Sequence, residues 1–247
     1  MARRFNEQSC AIGPLDIRYV EGPPSGPPLV LLHGFAARWQ FFMPLLPALS
    51  ERWHVYAPNF RGHGTSSWTP GEYRIERLID DTRTFLETQV GEPAAIFGHS
   101  MGGWVAAAIA AEVPHLVRGL VIGDSELRPA RQNGSLSLSY LQDAPIALRG
   151  MSTSLNQLDP EAMAMFRDGR MTDGMDPSML LPRISCPVLL IQGNPTLGAL
   201  MIDEDVNRAR SLLSRVTHVR IENAGHGLHV QDPEAVLDAV TTFLEAL

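Results

Sequence analysis

Residues 94–102 have the sequence Ala94-Ala95-Ile96-Phe97-Gly98-His99-Ser100-Met101-Gly102, in which an apolar run of strand length ends at a serine with a glycine two residues away on each side. Such a serine can occupy a strained turn between a buried strand and a helix, where larger side chains at the glycine positions would collide with neighbouring strands. The turn lifts the Ser100 hydroxyl out of the sheet. It also aims the backbone N–H of Met101 toward the same space, at a helix N-terminus that favours negative charge. The stretch therefore predicts a nucleophilic serine.

The composition is that of one ordinary globular domain. The chain has 247 residues, of which 45% are hydrophobic and 19% charged, and this length suits one well-buried α/β domain better than two. The net charge is −7, and the arginines are scattered along the sequence instead of forming a basic stripe. We therefore expect no nucleic-acid partner.

The sequence carries no signal for a membrane or a cofactor. Arg3 and Arg4 are not followed by an apolar segment, and no later apolar stretch reaches membrane-spanning length. Neither a cluster of metal-ligating residues nor a phosphate-cradling loop of the P-loop type is present. We predict a cytoplasmic protein that needs no metal and no cofactor and does not act at a membrane. No pattern in the sequence predicts its oligomeric state.

Short apolar runs alternate with segments of helical period, which is typical of βα units around a mostly parallel sheet. The predicted strands are residues 9–12, 17–20, 29–32, 55–57, 94–97, 120–122, 188–191 and 219–221, and the predicted helices include residues 74–90, 104–111 and 234–247. The alanine-rich helix at 104–111 is expected to run close beneath neighbouring strands. The predicted fold class is α/β, with a mostly parallel sheet flanked by helices.

This alternation lapses between Ser125 and Leu181, where methionine, serine and leucine are frequent. We predict a small helical cap of residues 125–182, inserted after the sixth strand, and an α/β core of residues 1–124 and 183–247. Because methionine adapts to ligands of different shapes, the cap is suited to roof an apolar pocket. For any single methionine, plain helix packing is the simpler role. The methionines concerned are Met151, Met163, Met165, Met171, Met175 and Met179.

A serine nucleophile needs a base within hydrogen-bond reach and a group that orients this base. His226 is the favoured base, because it follows the last predicted strand in Asn223-Ala224-Gly225-His226-Gly227 and so comes after serine and acid in the chain order expected for this motif. The neighbouring glycines leave room for an imidazole at the sheet edge. His229, three residues later, and His218, at the start of the last strand, are the alternatives.

Together these features resemble the α/β-hydrolase fold superfamily, in its serine esterase and lipase branch, over nearly the whole chain. The matching pieces are His33-Gly34-Phe35, Arg61-Gly62-His63-Gly64, the stretch from Gly98 to Gly102, Cys186-Pro187 and Gly225-His226. The resemblance implies an oxyanion hole made by the backbone N–H groups of Phe35 and Met101, with a cap over the pocket after Ser125. His63 and His99 flank these motifs and are expected to be packing or pocket-wall residues, with His99 facing away from Ser100.

The position of the acid that orients His226 departs from the usual pattern of the superfamily. The superfamily most often has an aspartate shortly after a glycine behind the seventh strand, but this chain has Gly193-Asn194-Pro195-Thr196 there. Asp124 directly follows the predicted sixth strand, at the strand end where catalytic groups gather in open α/β sheets. In this the chain resembles certain haloalkane dehalogenases and the zearalenone lactonases. We predict that Asp124 is the acid, with Glu126 and Asn194 as alternatives and a loop or helix-capping role as the simpler explanation of Asp124.

Other polar residues near the motifs have simpler predicted roles. Asp203, Glu204 and Asp205 begin a predicted helix, whose dipole favours negative charge at this end. Asn59 stands where the superfamily usually has aspartate before the Arg-Gly-x-Gly turn, and we expect it to keep the local backbone hydrogen bonds of that turn.

The residues and the resemblance predict a serine hydrolase that cleaves carboxylic esters or lactones through an acyl-enzyme intermediate. The aromatic side chains of Phe35, Trp39 and Trp104 and the Met- and Leu-rich cap suggest a small apolar substrate. A serine nucleophile excludes the aspartate-nucleophile branch, which holds dehalogenases and epoxide hydrolases. C–C bond hydrolysis, perhydrolysis and cyanohydrin cleavage by a hydroxynitrile lyase use the same residues and stay open. A low-turnover ligand-binding receptor of this fold is a further alternative, because Asn194 replaces the usual acid.

Overall fold

Eight strands form one sheet in the computed structural model, which describes residues 5–128 and 155–247. The strands are β1 (Glu7–Ile12), β2 (Leu15–Glu21), β3 (Pro28–Leu32), β4 (His54–Pro58), β5 (Ala94–His99), β6 (Val117–Gly123), β7 (Val188–Gly193) and β8 (Val216–Ile221). Their order is β1-β2-β4-β3-β5-β6-β7-β8, with antiparallel pairing of β2 to β1 and β4 and parallel pairing elsewhere. The predicted α/β class with a mostly parallel sheet is confirmed.

The central strands are apolar along their whole length because both of their faces are covered. Every residue of β3, β5 and β7 is buried, whereas β8 at the sheet edge is only partly buried. Strands covered on both faces have continuous apolar sequences, which explains why the central strands were recognisable in the chain. In the register, His99 pairs with Gly123 and Gly123 with Ile191. The segments that follow β5, β6 and β7 therefore begin side by side.

Seven helices lie within the described residues. They are α1 (Leu46–Leu49), α2 (Ile75–Phe85), α3 (Met101–Glu112), α4 (Pro160–Arg167), α5 (Asp203–Leu212), α6 (Leu228–Gln231) and α7 (Pro233–Glu245), with 3-10 turns at Trp39–Phe42, Pro114–Leu116, Pro177–Met179, Leu181–Arg183 and Pro195–Leu197. The helix predicted at 74–90 is α2 followed by a π-helical turn at Leu86–Val90, which ends at Gly91 with φ 74°. The predicted acidic first turn of α5 is confirmed.

Two apolar clusters cover the two faces of the sheet. Alternate residues of β3 enter different clusters: Val30 and Leu32 belong to the one that contains α2 and α3, and Leu29 and Leu31 to the one that contains α1 and α7. This division follows from the alternation of side chains along a strand. A Cβ atom on Gly102 would lie 2.2 Å from the Leu32 carbonyl oxygen, so α3 passes directly over the end of β3.

The segment predicted as a cap is described from residue 155 onward. Its helix α4 is fastened to the core by backbone hydrogen bonds from Asp159 N to the Gly62 carbonyl (2.9 Å) and from Ile75 N to the Met171 carbonyl (2.8 Å). Met165 and Met171 are buried in the core cluster, so these two methionines pack as fillers, while Met179 is 70% exposed. Met151 and the rest of residues 129–154 lie outside the described residues. The boundaries 125 and 182 stay predictions.

Candidate active site

Ser100 occupies the turn between β5 and α3 in a strained backbone conformation. Its φ of 55° and ψ of −122° lie in a region that a non-glycine residue seldom adopts. The Ser100 N–H donates to the Gly123 carbonyl at 2.9 Å, which ties the turn to the end of β6. A Cβ atom on Gly98 would lie 2.2 Å from the Gly102 carbonyl oxygen, so a side chain there would collide with backbone. The predicted strand-to-helix turn is thus present, with the strain and the glycine requirement that the motif implies.

Asp124 and His226 meet next to this turn. His226 Nδ1 lies 2.7 Å from Asp124 Oδ2, although the two residues are 102 positions apart in the sequence. Because the carboxylate can only accept, Nδ1 carries the proton and Nε2 of a neutral His226 is left as the proton acceptor. The structure therefore brings together the predicted base and the favoured acid.

The Asp124 carboxylate is fully buried and surrounded by donors. Besides the His226 ring, it accepts backbone N–H bonds from Leu200 (2.8 Å, to Oδ2) and from Gly193 and Met201 (each 3.2 Å, to Oδ1). Four donors compensate the loss of water that burial of an ionised group entails. Asp124 itself has φ 41°, a left-handed conformation that aspartate tolerates better than most residues.

The two alternative acids have other hydrogen-bond partners. The Asn194 side chain accepts from Thr196 N at 2.9 Å and donates to the Glu222 carbonyl at 3.0 Å, so it caps the turn Pro195–Leu197. The Glu126 carboxylate forms an ion pair with Arg128. In the structure it is Asp124 that accepts the His226 Nδ1 hydrogen bond.

The rival histidines sit in surroundings that differ from that of His226. His218 Nε2 lies 2.9 Å from Gln192 Oε1, and partial burial, then the nearby Arg210 and Arg220, lowers its pKa. His229 is fully buried, its ring stacks on Phe42, and within the described parts of the chain neither of its ring nitrogens has a hydrogen-bond partner. Burial keeps the pKa of His229 well below 6.5. Among residues 5–128 and 155–247, neither histidine ring is hydrogen-bonded to a carboxylate as that of His226 is.

The two predicted oxyanion donors lie at the ends of β3 and β5. Met101 is the first residue of α3, so its N–H has no acceptor within the helix. Phe35 follows Gly34, where a Cβ atom would lie 3.0 Å from the Ser100 Cβ. The Phe35 ring stacks on Phe166 of α4, with centroids 3.7 Å apart and planes at 4°, and meets the edge of His63 at 5.5 Å. The segment carrying the Phe35 N–H is thus held by ring packing from α4 and from His63.

A buried hydrogen-bond network supports the turn after β3. His33 Nδ1 donates to the Gly34 carbonyl (2.8 Å), and its Nε2 accepts from Phe60 N (3.1 Å). Asn59 Oδ1 accepts from Trp39 N at 2.8 Å, a bond to the segment after β3 and not to the Arg61–Gly64 turn where local bonds were expected, and its Nδ2 has no hydrogen-bond partner among the described residues. Burial holds the pKa of His33 well below 6.5 and lowers that of His63 to about 4. Both rings are therefore neutral structural groups at neutral pH.

Several contributors to the site could not be recognised in the sequence. The Leu200 and Met201 donors are backbone groups, which leave no residue-type signal. His99 is buried, as expected of a packing residue, and its Nε2 lies 2.7 Å from the His226 carbonyl oxygen, a contact that the sequence did not predict. The position of His99 beside Ser100 was the one sequence feature that pointed to a role in the site. The contact itself depends on the path of the loop that carries His226.

Two kinds of site are not found in residues 5–128 and 155–247. That part of the chain contains no group of three or more His, Cys, Asp or Glu side chains arranged to hold a metal ion. It also contains no helix that combines the length and the apolar character needed to cross a bilayer.

Comparison with known proteins points to one family. The family model described as Alpha/beta hydrolase family matches residues 29–239 of this chain. Among solved structures, that of a membrane phospholipase A, described as a novel bacterial virulence factor, superposes with a TM-score of 0.83 at 25% sequence identity and covers 98% of this chain and 86% of that one.

Curated relatives differ in how much of their length is matched. The magnesium-chelatase 30 kDa subunit of Rhodobacter capsulatus is 35% identical over 105 residues, which are 42% of this chain and 37% of that protein. The 2-(acetamidomethylene)succinate hydrolase of Mesorhizobium japonicum is 26% identical over 90% of this chain and 89% of its own. The sn-1-specific diacylglycerol lipase ABHD11 of Mus musculus is 24% identical over 98% and 90%, respectively. The match thus spans little more than a third of the Rhodobacter protein and most of the other two.

Proposed function

Because the chain belongs to the alpha/beta hydrolase family, we propose that it is a serine hydrolase that cleaves carboxylic esters or lactones, with Ser100 as nucleophile, His226 as general base and Asp124 as the acid of the triad. The observation that carries the proposal is the 2.7 Å hydrogen bond from His226 Nδ1 to the buried Asp124 carboxylate, beside a serine held at φ 55°. A base oriented by an acid is what a serine hydroxyl needs to attack a carbonyl.

In the proposed acylation step, the Ser100 hydroxyl oxygen attacks the ester carbonyl carbon while His226 Nε2 takes the hydroxyl proton. The imidazolium that forms is stabilised by the Asp124 carboxylate across Nδ1. The carbonyl π electrons move to the oxygen, and the backbone N–H groups of Phe35 and Met101 bind this oxyanion, a contribution of about 3 kcal/mol for each such donor. The tetrahedral intermediate then collapses, the C–O bond to the leaving group breaks, and His226 protonates the leaving oxygen.

Deacylation repeats the same steps with water. His226 takes a proton from water, the hydroxide oxygen adds to the acyl carbon, and the bond to the Ser100 oxygen breaks as His226 returns the proton to it. An ester releases its alcohol before this stage. A lactone keeps the hydroxyl on the acyl chain, so its single product is a hydroxy acid. The backbone donors serve both halves, because both pass through an oxyanion at the same place.

The pocket is proposed to lie under the segment 125–182, which would act as the cap. Phe166 of α4 stacks face to face on Phe35, so an apolar wall adjoins the proposed oxyanion donor. Met165 and Leu158 are buried close by in the same core cluster. Aromatic and aliphatic walls with few polar groups favour small apolar substrates.

The proposal is tested by hydrolysis of p-nitrophenyl acetate and butyrate and of an unsubstituted small lactone. We expect turnover by the native chain and its loss in Ser100→Ala, with His226→Gln reduced to a similar degree because the three residues act as a unit. Ser211→Ala is the matched control, since this exposed serine on α5 bonds only to the Arg208 carbonyl of its own helix among the described residues. Ester and lactone turnover that survives in Ser100→Ala would refute the proposal.

One observation favours a second candidate, hydrolysis of esters whose acyl part carries a carboxylate. Arg38, three residues after Phe35, is half-buried and donates from Nη1 to Gln157 Oε1 at 2.5 Å. No carboxylate within residues 5–128 and 155–247 lies at salt-bridge distance from it, and its remaining donors match the geometry of a carboxylate. The relative from Mesorhizobium is named for a succinate derivative.

Paired substrates separate the two candidates. p-Nitrophenyl hemisuccinate has an acyl chain like that of the butyrate but ends in a carboxylate. If the second candidate holds, Arg38→Gln lowers the hemisuccinate-to-butyrate ratio of kcat/KM by about 10-fold or more, because a charge-assisted hydrogen bond is lost. An equal effect on both esters would reject the second candidate. Arg38 would then serve only to bind the proposed cap segment through its hydrogen bond to Gln157. Arg183→Gln, at an exposed arginine, is the control.

A further inference from the structure

His99 is a buried side chain next to the nucleophile for which the catalytic steps above give no role. It is 2% exposed and directly precedes Ser100. Its Nε2 lies 2.7 Å from the backbone carbonyl oxygen of His226. Since a carbonyl oxygen only accepts, His99 must carry its proton on Nε2 and donate it.

The surroundings of His99 keep its ring neutral and fixed. The ring centroid lies 4.7 Å from that of His226, 4.9 Å from that of His229 and 5.6 Å from that of Phe41. Burial and then the nearby His226 lower the pKa of His99 to about 3. His99 therefore stays a neutral donor and adds no second positive charge beside His226 while that ring accepts the proton.

The loop that carries His226 requires hydrogen bonds such as the one from His99 to keep a single conformation. It contains glycine on both sides of the histidine, at Gly225 and Gly227, and glycine permits many backbone conformations. Other bonds hold the ends of the loop, from Asn194 N to the Ala224 carbonyl (2.6 Å) and from Gly225 N to Gln231 Oε1 (2.9 Å). The His226 carbonyl itself is bound by the residue that adjoins the nucleophile.

We propose that His99 is a positioning residue, whose Nε2–H holds the main chain of His226 against the end of β5, directly before Ser100, so that base and nucleophile keep a fixed spacing. This inference rests on the proposed function of Ser100 and His226. Asp124 fixes the direction of the imidazole through Nδ1. His99 fixes the position of the His226 main chain relative to the end of β5. The two hydrogen bonds together fix where His226 Nε2 lies relative to Ser100. Misplacement of a catalytic group by about 1 Å can reduce the rate by about 100-fold.

The test compares His99→Leu, His99→Gln and His229→Phe. Leu fills the space without a donor, and Gln returns an N–H at similar reach. His229→Phe is the matched control, because this neighbouring imidazole is equally buried, stacks on Phe42 and has no hydrogen-bond partner within the described residues. On p-nitrophenyl butyrate we expect kcat to fall about 100-fold in His99→Leu with KM little changed, to recover largely in His99→Gln, and to stay near native in His229→Phe.

A second readout separates positioning from general loss of structure. The proton between His226 Nδ1 and Asp124 is expected to give a far-downfield proton NMR signal in the native chain, which should broaden or shift in His99→Leu and remain in His99→Gln and His229→Phe. If His99→Leu is poorly folded, His99→Phe takes its place, because it keeps the ring volume without a donor and should show the same loss of kcat. Native kcat in a folded His99→Leu, or equal losses in all three variants, would overturn the inference. Failure of the proposed function is distinguishable, because Ser100→Ala would then keep activity.

Discussion

The segments after β3 and β6 lie on opposite sides of β5, the strand that leads into the Ser100 turn, and they are held by different interactions. After β6, the buried Asp124 carboxylate accepts three backbone N–H bonds and the bond from His226. After β3, Phe35 is held by its ring, which stacks on Phe166 and meets the edge of His63.

The difference follows from the group that each segment positions, which is a carboxylate after β6 and a backbone N–H after β3. An ionised carboxylate taken out of water must find other donors, whereas a backbone N–H that awaits a substrate oxygen only needs its peptide to be aimed. Polar substitutions should therefore damage the Asp124 side first, and loss of apolar volume should damage the Phe35 side first.

The largest effect is expected for Asp124→Asn. The amide keeps the volume of the side chain but removes the charge that stabilises the imidazolium and favours the wrong tautomer of His226, so kcat should fall about 10⁴-fold. Steady-state kinetics on p-nitrophenyl butyrate measure this, with circular dichroism as the check on folding. Asp203→Asn, at an exposed carboxylate that begins α5, should stay within about twofold of native. A loss of less than tenfold in Asp124→Asn would mean that another group acts as the acid.

An intermediate effect is expected for Phe166→Ala on the other side. Removal of a buried ring that stacks on Phe35 should lower the free energy of unfolding by about 3 kcal/mol. It should also lower kcat, though less than Asp124→Asn does, because Phe35 loses its support while the triad stays intact. Urea unfolding and kinetics measure the two effects, and Phe166→Leu, which keeps most of the volume, should recover part of both. Native kcat in folded Phe166→Ala would show that ring stacking does not aim the Phe35 N–H.

A smaller, pH-dependent effect is expected from the buried histidines of the Phe35 side. Burial lowers the pKa of His63 to about 4 and holds that of His33 well below 6.5. Between pH 6.5 and 4 the unfolded chain binds more protons at these residues than the folded chain, so stability is full above pH 6.5 and falls as the pH drops toward 4. The melting temperature should decrease over this range, and less steeply in His63→Phe. An identical slope in that variant would contradict the assignment of His63 as a buried neutral ring.

The smallest effect is expected for Asn194→Asp, which restores a carboxylate at the usual place in the superfamily. The new carboxylate can still accept from Thr196 N but loses the bond that Asn194 Nδ2 donates to the Glu222 carbonyl, and because neither contact involves His226, kcat should stay within about twofold of native. It should also fail to rescue Asp124→Asn in the double variant. Rescue would show that the loop after β7 can deliver an acid to His226, which would weaken the contrast between the two sides.

Most of the fold could be predicted because local patterns and tertiary environment agree. The continuous apolar runs of β3, β5 and β7 arise from burial on both faces, and the serine turn has a residue requirement that backbone collisions at Gly98 explain. Helix ends were predicted less well, as at the π-helical turn Leu86–Val90, since the sequence there keeps its helical period.

Within the site, residue types and their positions in the sequence predicted which side chains take part, but not how these side chains are arranged. Asp124 and His226 could be selected by their positions at strand ends, but the distance between them depends on the packing of β6, β7 and the last loop. The donors from Leu200 and Met201 are backbone groups and leave no trace in residue identity. The bond from His99 Nε2 to the His226 carbonyl could not be predicted, because it forms only once the loop that carries His226 is in place.

The most direct test of the account is the rate and site of labelling by a fluorophosphonate probe, followed by peptide mapping of the folded protein. We predict stoichiometric modification of Ser100 in the native chain and much slower modification of the same residue in Asp124→Asn, because the probe reacts only with a serine that a correctly oriented His226 activates. Absence of labelling in the native protein, modification of a different residue, or an unchanged rate in Asp124→Asn would contradict it.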